Sequence, residues 1–236
     1  MKFQDVVKDL KNQANSEKAV FLSRFFKTRP GEYGYGDKFL GIVVPTTRKI
    51  AKKYQNLELK EISKLLASNY HEIRLCGLLI LNIQFKRARI VKQQKIIFDF
   101  YMNQARKGRI NNWDLVDVTA PTIGTYLFND HKYLETLTKL AKNKSLWLRR
   151  ISILFTFAFI KQGEVRPTLI IAKKLLPDRE DLIHKAVGWG LREVGKKNKN
   201  QLIGFLKQNV KNMNRTTLRY AIEKLPEKER KYWLNK

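Results

Sequence analysis

The sequence predicts an all-α fold, an α-solenoid of short helical repeats, from three observations. Apolar residues recur at the i, i+3, i+4, i+7 spacing of amphipathic helices along nearly all of the 236 residues. The period-two alternation that marks half-buried strands is almost absent. One type of helical segment also recurs about every 35 residues. We therefore expect a single repeat domain over residues 1–236.

The recurring segment is a basic residue followed by a small or apolar helical run. Its copies are HEIRLCGLLIL, SLWLRRISILF, IHKAVGWGLRE and TTLRYAIEKL, in which the aligned basic residues are Arg74, Arg150, Lys185 and Arg219. The steps between them are 76, 35 and 34 residues, and the first step is close to two repeats. Helix pairs of this length stack into a solenoid whose second helices line a concave surface, here a basic groove.

The net charge of +27, from 48 Lys and Arg against 21 Asp and Glu, restricts the class of partner. The cations are distributed along the whole chain, which indicates a charged folded surface. Such an excess predicts phosphate backbones or an anionic membrane surface as partner, with general solubility as the alternative explanation. No run of about 18 uncharged apolar residues is present, so we expect no membrane span.

Cysteine usage and the N-terminal stretch indicate a reduced, cytosolic compartment. Cys76 is the single cysteine, which excludes a disulfide framework, and its apolar neighbours predict that it is buried in the core. The stretch MKFQDVVKDL carries Asp5 and Asp9 among apolar residues, which favours an amphipathic helix over a secretory signal.

Residues 28–45, TRPGEYGYGDKFLGIVVP, form the one long segment without helical spacing. Its glycines lack the order and the preceding strand of a dinucleotide loop, so we interpret it as a flexible surface connection. The three histidines, His71, His131 and His184, have no metal-ligand spacing. Neither a phosphate-binding Gly-Lys loop nor a nucleophile motif is visible, and we expect no cofactor.

The stretch INNWDLVD, residues 110–117, places two carboxylates and an indole at the centre of a basic chain. Either asparagine can cap a helix, and Asp114 then lies in the first turn, where the helix dipole favours a carboxylate. Asp117 lies four residues after Trp113 and shares its helix face. A salt bridge to a neighbouring Arg or Lys is the alternative explanation for Asp117.

The tryptophans are either core aromatics or residues of the groove. Trp189 lies between Gly188 and Gly190, and glycines inside a helix each cost about 1 kcal/mol, so something packs close to the backbone there. Trp147 and Trp233 have no such context, and we predict core or capping positions for them.

Five stretches, in the same order over about residues 15–220, resemble the AlkD family of DNA alkylation repair glycosylases. They are GDKFLGIVVPTTRKIAKKY, HEIRLCGLLIL, INNWDLVDVTAP, SLWLRRISILF and HKAVGWGLRE. The resemblance implies a fold of HEAT-like repeats and a monomer that associates with the nucleoid. It also implies removal of N3- and N7-alkylated purines from double-stranded DNA, with no cofactor.

The resemblance also implies roles for single residues. Asp117 looks like the family's catalytic carboxylate, and Trp113 and Trp189 look like its two groove tryptophans. Adjacent arginines face different directions, and the repeat alignment favours the second of the pair 149–150 as the groove arginine. The DNA-binding candidates are Arg150, Arg192, Lys185 and Arg149.

One segment departs from the family pattern, and two other functions stay open. Val43 and Val44 stand where some members carry polar residues, so the resemblance leaves open whether residues 28–45 contact DNA. The first alternative function is a non-catalytic binder of distorted or branched DNA. The second is a helical-repeat scaffold for protein partners, which the charge disfavours.

Overall fold

The computed structural model describes residues 1–236 as helices joined by turns and by one longer non-helical segment, residues 26–43, with one isolated parallel bridge between Lys38 and Tyr70. The predicted all-α class is therefore confirmed. The helices α1 to α15 span, in chain order, Phe3–Lys11, Ser16–Phe25, Val44–Lys53, Leu59–Leu66, His71–Arg87, Val91–Arg106, Trp113–Ile123, Tyr133–Ala141, Leu146–Phe155, Phe157–Lys161, Arg166–Leu175, Asp181–Lys197, Lys199–Asn209, Arg215–Ala221 and Glu227–Leu234. Two 3-10 helices cover Gly124–Asn129 and Val210–Asn212. None of the helices combines the length and the apolar character needed to cross a membrane.

Backbone proximity divides the chain into two compact units, residues 1–119 and 120–236, with the boundary inside α7. The single domain over residues 1–236 stays a prediction.

In the first unit, α5 is the central helix, and α3 and α4 pack against it. It is buried on nearly all sides because its apolar residues surround the helix instead of forming one stripe. Cys76 lies on this helix and is fully buried, which confirms its predicted core position. At the N-terminus, α1 buries Val6 and Leu10 and keeps its acidic and basic residues outside, as its amphipathic spacing predicts.

In the second unit, α12 is the central helix and packs against α9, α11, α13 and α14. Helices that follow each other in the chain, α8 with α9 and α11 with α12, are also neighbours in space. This pairing is what a solenoid of helix pairs requires of each repeat. Trp233 on α15 is 5% exposed, in agreement with a core position.

The segment between α2 and α3 is non-helical, as predicted, but the interpretation as a flexible surface connection is wrong. The buried carboxylate of Glu72 accepts hydrogen bonds from the three amides of residues 40–42, at 2.8–3.2 Å. Gly41 has φ 79°, and a Cβ atom built there would lie 2.0 Å from the carbonyl oxygen of Asn15. The segment is therefore fixed against α2 and α5 by buried polar contacts.

Candidate functional site

Helix α7 begins where the sequence predicts, at the tryptophan of the INNWDLVD stretch. The side-chain oxygen of Asn112, which is fully buried, accepts a hydrogen bond from the amide of Trp113 at 2.8 Å. Asp114 then lies in the first turn, and its Oδ1 accepts the amide of Leu115 at 2.8 Å. Local side-chain acceptors therefore fix the start of the helix that carries the predicted catalytic carboxylate.

Trp113 is half-buried and belongs to an aromatic cluster on the first unit. Its ring stacks on Phe26, with centroids 5.4 Å apart and planes at 18°. Phe25 meets it edge-on, with centroids 6.2 Å apart and planes at 68°. Phe25 and Phe26 lie outside the motifs that predict the site, although two adjacent aromatics at the end of a helix with no buried residue are a visible signal.

A buried ionic network lies beneath this cluster and connects α5, α7 and the non-helical segment. Nε2 of His71 lies 2.8 Å from Oδ2 of Asp114, and Nδ1 lies 3.4 Å from Oδ2 of Asp37. Asp37 also accepts a hydrogen bond from Nη2 of Arg74 at 2.7 Å. The imidazole lies against Phe26, with ring centroids 4.7 Å apart.

The opposite charges of this network keep one another ionised. Burial alone lowers the pKa of His71, but the charge of Asp114 and the hydrogen bonds to both aspartates outweigh it and raise the pKa to about 9. Burial alone raises the pKa of Asp37, and its contacts with His71 and Arg74 lower it below the usual value. His71 is therefore an imidazolium at neutral pH, enclosed by two carboxylates.

This network corrects two expectations from the sequence. Asp114 is more than a first-turn residue favoured by the helix dipole, because it is one partner of a nearly buried ion pair. Arg74, aligned with groove residues by the repeat pattern, is 4% exposed and bound to Asp37. Its guanidinium stabilises the interior of the first unit.

Asp117 is half-buried and lies one turn after Trp113 on the same side of α7. Its negative charge lies close enough to the phenol of Tyr101 to affect it. Burial raises the pKa of Tyr101, and the charge of Asp117 raises it further.

The helix boundaries place Asp117 where later helices carry a cation. It is the fifth residue of α7, and the fifth residues of α9, α12 and α14 are Arg150, Lys185 and Arg219. Trp113 is the first residue of its helix and Trp189 is the ninth residue of α12, so both lie one turn from that level on the same side of their helices. By its position within its helix, Asp117 thus corresponds to three basic residues of the second unit.

In the second unit, the guanidinium of Arg149 is held by the protein itself. Its Nε and Nη2 contact the two carboxylate oxygens of Asp178 at 2.6 and 3.2 Å. Its Nη1 donates to the carbonyls of Asn143 and Lys144 at 3.1 and 2.8 Å. This bidentate geometry indicates a bracing role for Arg149, and its predicted contact with DNA stays a prediction.

Arg150 and Lys185 link the second unit's helices in different ways. Arg150 is 4% exposed, and its Nη1 donates to the carbonyl oxygen of Leu182 at the start of α12. Lys185 is half-buried and forms an ion pair with Asp181 at 2.7 Å, one turn earlier on the same helix. Their roles in DNA binding stay predictions.

Trp189 is half-buried and meets Phe157 edge-on, with ring centroids 4.8 Å apart. Both rings border an open cavity of about 370 Å³ that is also lined by Lys161, Lys196 and Lys197. Trp189 thus differs from a core tryptophan, because one part of its indole faces a surface cavity whose charged lining is three lysines and Glu193.

The two glycines beside Trp189 allow close helix packing. A Cβ atom on Gly188 would lie 2.5 Å from Cβ of Tyr220 and 2.6 Å from the carbonyl of Thr217, both on α14. A Cβ on Gly190 would lie 3.3 Å from Thr168. The predicted close approach to the backbone is confirmed, and protein helices make it.

Arg192 lies one turn before the end of α12 and is 19% exposed in its side chain. Its Nη1 contacts the carboxylate of Glu223, and its Nε lies 3.4 Å from Glu193.

No group of three or more His, Cys, Asp or Glu side chains is arranged to hold a metal ion.

Stacked helix pairs, a large positive charge and a carboxylate among basic helix positions define a basic helical-repeat protein. The profile of the DNA alkylation repair enzyme family matches residues 6–225. The chain therefore belongs to the family of DNA alkylation repair enzymes.

Comparison with solved structures supports the same fold. The chain is similar to a structure described as a predicted DNA alkylation repair enzyme from Enterococcus faecalis, with a TM-score of 0.71 and 18% sequence identity. The similarity covers 91% of this chain and 98% of that chain. A search of curated proteins found no significant match.

Proposed function

We propose that this protein repairs alkylated DNA by hydrolysing the N-glycosidic bond of cationic N3- and N7-alkylated purines in double-stranded DNA. The observation that carries the proposal is Asp117, the carboxylate at a helix position that holds a cation in α9, α12 and α14. Membership of the family of DNA alkylation repair enzymes supports repair as the role.

The chemistry of the lesion suits a carboxylate. An N3- or N7-alkylpurine carries a positive charge, so the base leaves as a neutral molecule and needs no strong acid. The sugar becomes an oxocarbenium-like cation as the bond breaks, and a preorganised carboxylate stabilises that charge. Asp117 would do so and would position the attacking water. The bond between the sugar carbon C1′ and the purine nitrogen breaks and leaves its electron pair on the base. The water oxygen forms the new bond to C1′, and the water loses one proton to the Asp117 carboxylate and from there to solvent.

The aromatic and basic candidates have roles that follow from their chemistry. Indole faces attract cations and pack against sugar CH groups, which is worth up to ~2 kcal/mol for a desolvated contact. Trp113 and Trp189 are half-buried and leave part of each ring available for such contacts. Arg150 and Arg192 would contact phosphates near the lesion and fix the register of the DNA.

The partner proposed is double-stranded DNA that contains alkylated bases, bound by a monomer without a cofactor. The net charge of +27 supports a phosphate backbone as the binding surface's partner. Val43 and Val44 are 48% and 43% exposed at the start of α3, so this segment would offer apolar contact instead of hydrogen bonds.

The test is single-turnover release of 7-methylguanine from a methylated duplex, with the undamaged duplex as control. Release by the wild type, at a rate well above spontaneous depurination, is the expected result. Tight salt-dependent binding without release would favour the non-catalytic DNA binder. Absence of both would favour the protein scaffold.

A further inference from the structure

Helix α2 presents an apolar face that no other part of the protein covers. None of its ten residues is buried, although three of them are large and apolar. Val20, Phe21 and Phe25 are 55%, 64% and 53% exposed. The two phenylalanine rings stack on each other one turn apart, with centroids 6.2 Å apart and planes at 16°. Exposed aromatic pairs of this kind mark contact surfaces more often than single exposed side chains do.

The backbone that carries this face is firmly held. The side chain of Asn15 caps α2 by accepting the amide of Lys18 at 2.9 Å. The amide of Asn15 donates to the carbonyl of Leu40 at 2.8 Å, and Gly41 packs directly against the same residue. Exposure of the phenylalanines is therefore a property of a fixed helix.

The exposed pair continues into the cluster around Trp113. Phe21 stacks on Phe25, and Phe25 meets Trp113 edge-on. The aromatic surface thus runs along α2 up to the tryptophan that lies one turn before Asp117. A molecule that contacts Trp113 from solvent has the phenylalanine pair beside it.

The surroundings of the face are cationic, which selects the kind of partner. Residues 16–29 contain four exposed cations and one carboxylate, Glu17. The cations are Lys18, Arg24, Lys27 and Arg29. Apolar rings rimmed by cations are complementary to DNA, in which base faces and sugar edges lie between phosphates.

We propose that Phe21 and Phe25 form an apolar wedge that contacts the exposed bases of a distorted duplex beside the lesion. The inference rests on the proposed function, because it takes double-stranded DNA as the substrate. Apolar side chains enter DNA most readily at weakened base steps, so the wedge favours distorted over intact duplex.

The experiment compares the affinity of the full-length protein for an intact duplex and for the same duplex with one central abasic analogue. Fluorescence anisotropy at physiological salt measures both. Phe21→Ala is expected to weaken binding to the distorted duplex by roughly 5- to 100-fold, the range of one base–aromatic contact. Binding to the intact duplex falls less. Phe21→Trp keeps a ring and is expected to retain the preference.

Phe128→Ala is the matched control. Phe128 is also an exposed phenylalanine, 45% exposed, but it lies in the 3-10 helix Gly124–Asn129 of the second unit. It is expected to bind both duplexes like the wild type. An unchanged preference in Phe21→Ala overturns the wedge. A wild-type dimer that becomes a monomer on this substitution, with DNA binding unchanged, also overturns it and assigns the face to a second copy.

Different experimental results would reject the wedge and the proposed glycosylase activity. If Phe21→Ala loses the preference for distorted duplex while the wild type releases no 7-methylguanine, the wedge stands and the glycosylase proposal falls. If the wild type releases the base and Phe21→Ala keeps the preference, the glycosylase stands and the wedge falls.

Discussion

Nε2 of His71 and Oδ2 of Asp114 lie 2.8 Å apart and connect the first turn of α5 to the first turn of α7. The imidazole is 2% exposed and the carboxylate 18% exposed, so this ion pair is shielded from solvent. Phe26 lies against both His71 and Trp113. The pair therefore holds the helix that carries Asp117 and supports the ring on which Trp113 stacks.

This ion pair predicts a specific dependence of stability on pH. The pKa of His71 is raised from 6.5 in the unfolded chain to about 9 in the folded protein. The stabilisation is therefore fully present below pH 6.5 and is lost as the pH rises through about 9. Its size at low pH is roughly 3 kcal/mol.

The measurement is the free energy of unfolding of the wild type and of His71→Gln between pH 6 and 9.5. Gln keeps hydrogen-bonding groups but does not titrate in this range. The difference between the two proteins is expected to shrink steadily above pH 6.5. A difference that stays constant over the whole range would show that the pKa of His71 is the same in the folded and the unfolded protein.

Local features of the fold were predictable from the sequence, and long-range pairs were not. The start of α7 follows from an asparagine and the apolar spacing after it, which are contiguous signals. His71 and Asp114 are 43 residues apart, and a lone histidine does not indicate which carboxylate it meets. Arg74 has the same limitation, because Asp37 is its partner across 37 residues.

The repeat register explains why the candidate site could be predicted in part. Arg150, Lys185 and Arg219, which the sequence aligned, are each the fifth residue of a helix, so their alignment corresponds to a real structural position. Asp117 is also a fifth residue, whereas the aligned Arg74 is the fourth residue of α5. Exposure is another matter, because it depends on neighbouring helices. Arg150 is 4% exposed although Lys185, at the same position, is half-buried.

Trp189→Ala is expected to impair base release more than stability. The indole is half-buried and has one edge-on aromatic partner, Phe157, so its removal leaves a surface hollow instead of a core cavity. Trp233→Ala is the matched control, because Trp233 is 5% exposed and its loss should cost ~3–5 kcal/mol. Thermal melts and single-turnover release of 7-methylguanine measure the two effects. An equally large drop in melting temperature for both variants would place Trp189 in the core.

DNA affinity is expected to fall steeply with salt, by roughly 10³–10⁵ between 50 and 200 mM if six to ten phosphates are contacted.

Arg150→Gln should weaken binding by roughly 1–3 kcal/mol, as for other hydrogen bonds of a charged group. Arg149→Gln is the comparison. Because Asp178 and two carbonyls hold this guanidinium, its loss should lower the melting temperature and leave the salt slope unchanged.

Titration of a fluorescent duplex at several salt concentrations measures both variants. A reduced slope for Arg149→Gln would return Arg149 to the residues that touch DNA. An almost flat salt dependence of the wild type would contradict the phosphate-binding surface itself.

Asp117→Asn tests the mechanism, because it keeps the shape of the side chain and removes its charge. If the carboxylate stabilises an oxocarbenium-like sugar, the rate of base release should fall by about 10²–10³. Affinity for undamaged duplex should stay the same or increase, since a negative charge near phosphates is lost. Asp114→Asn is the control on the same helix. It removes the negative charge that pairs with the imidazolium of His71 and should cost roughly 1.5–3 kcal/mol of stability, more than the ~1 kcal/mol of a helix-dipole effect alone.

Single-turnover release of 7-methylguanine and thermal melts, on both variants and the wild type, separate the two carboxylates. Asp117→Asn should lose rate with a small change in melting temperature, and Asp114→Asn should lose several degrees with a smaller change in rate. A near wild-type rate for Asp117→Asn would remove Asp117 as the catalytic group. Greater damage to the rate in Asp114→Asn would transfer the catalytic role to the carboxylate that contacts His71.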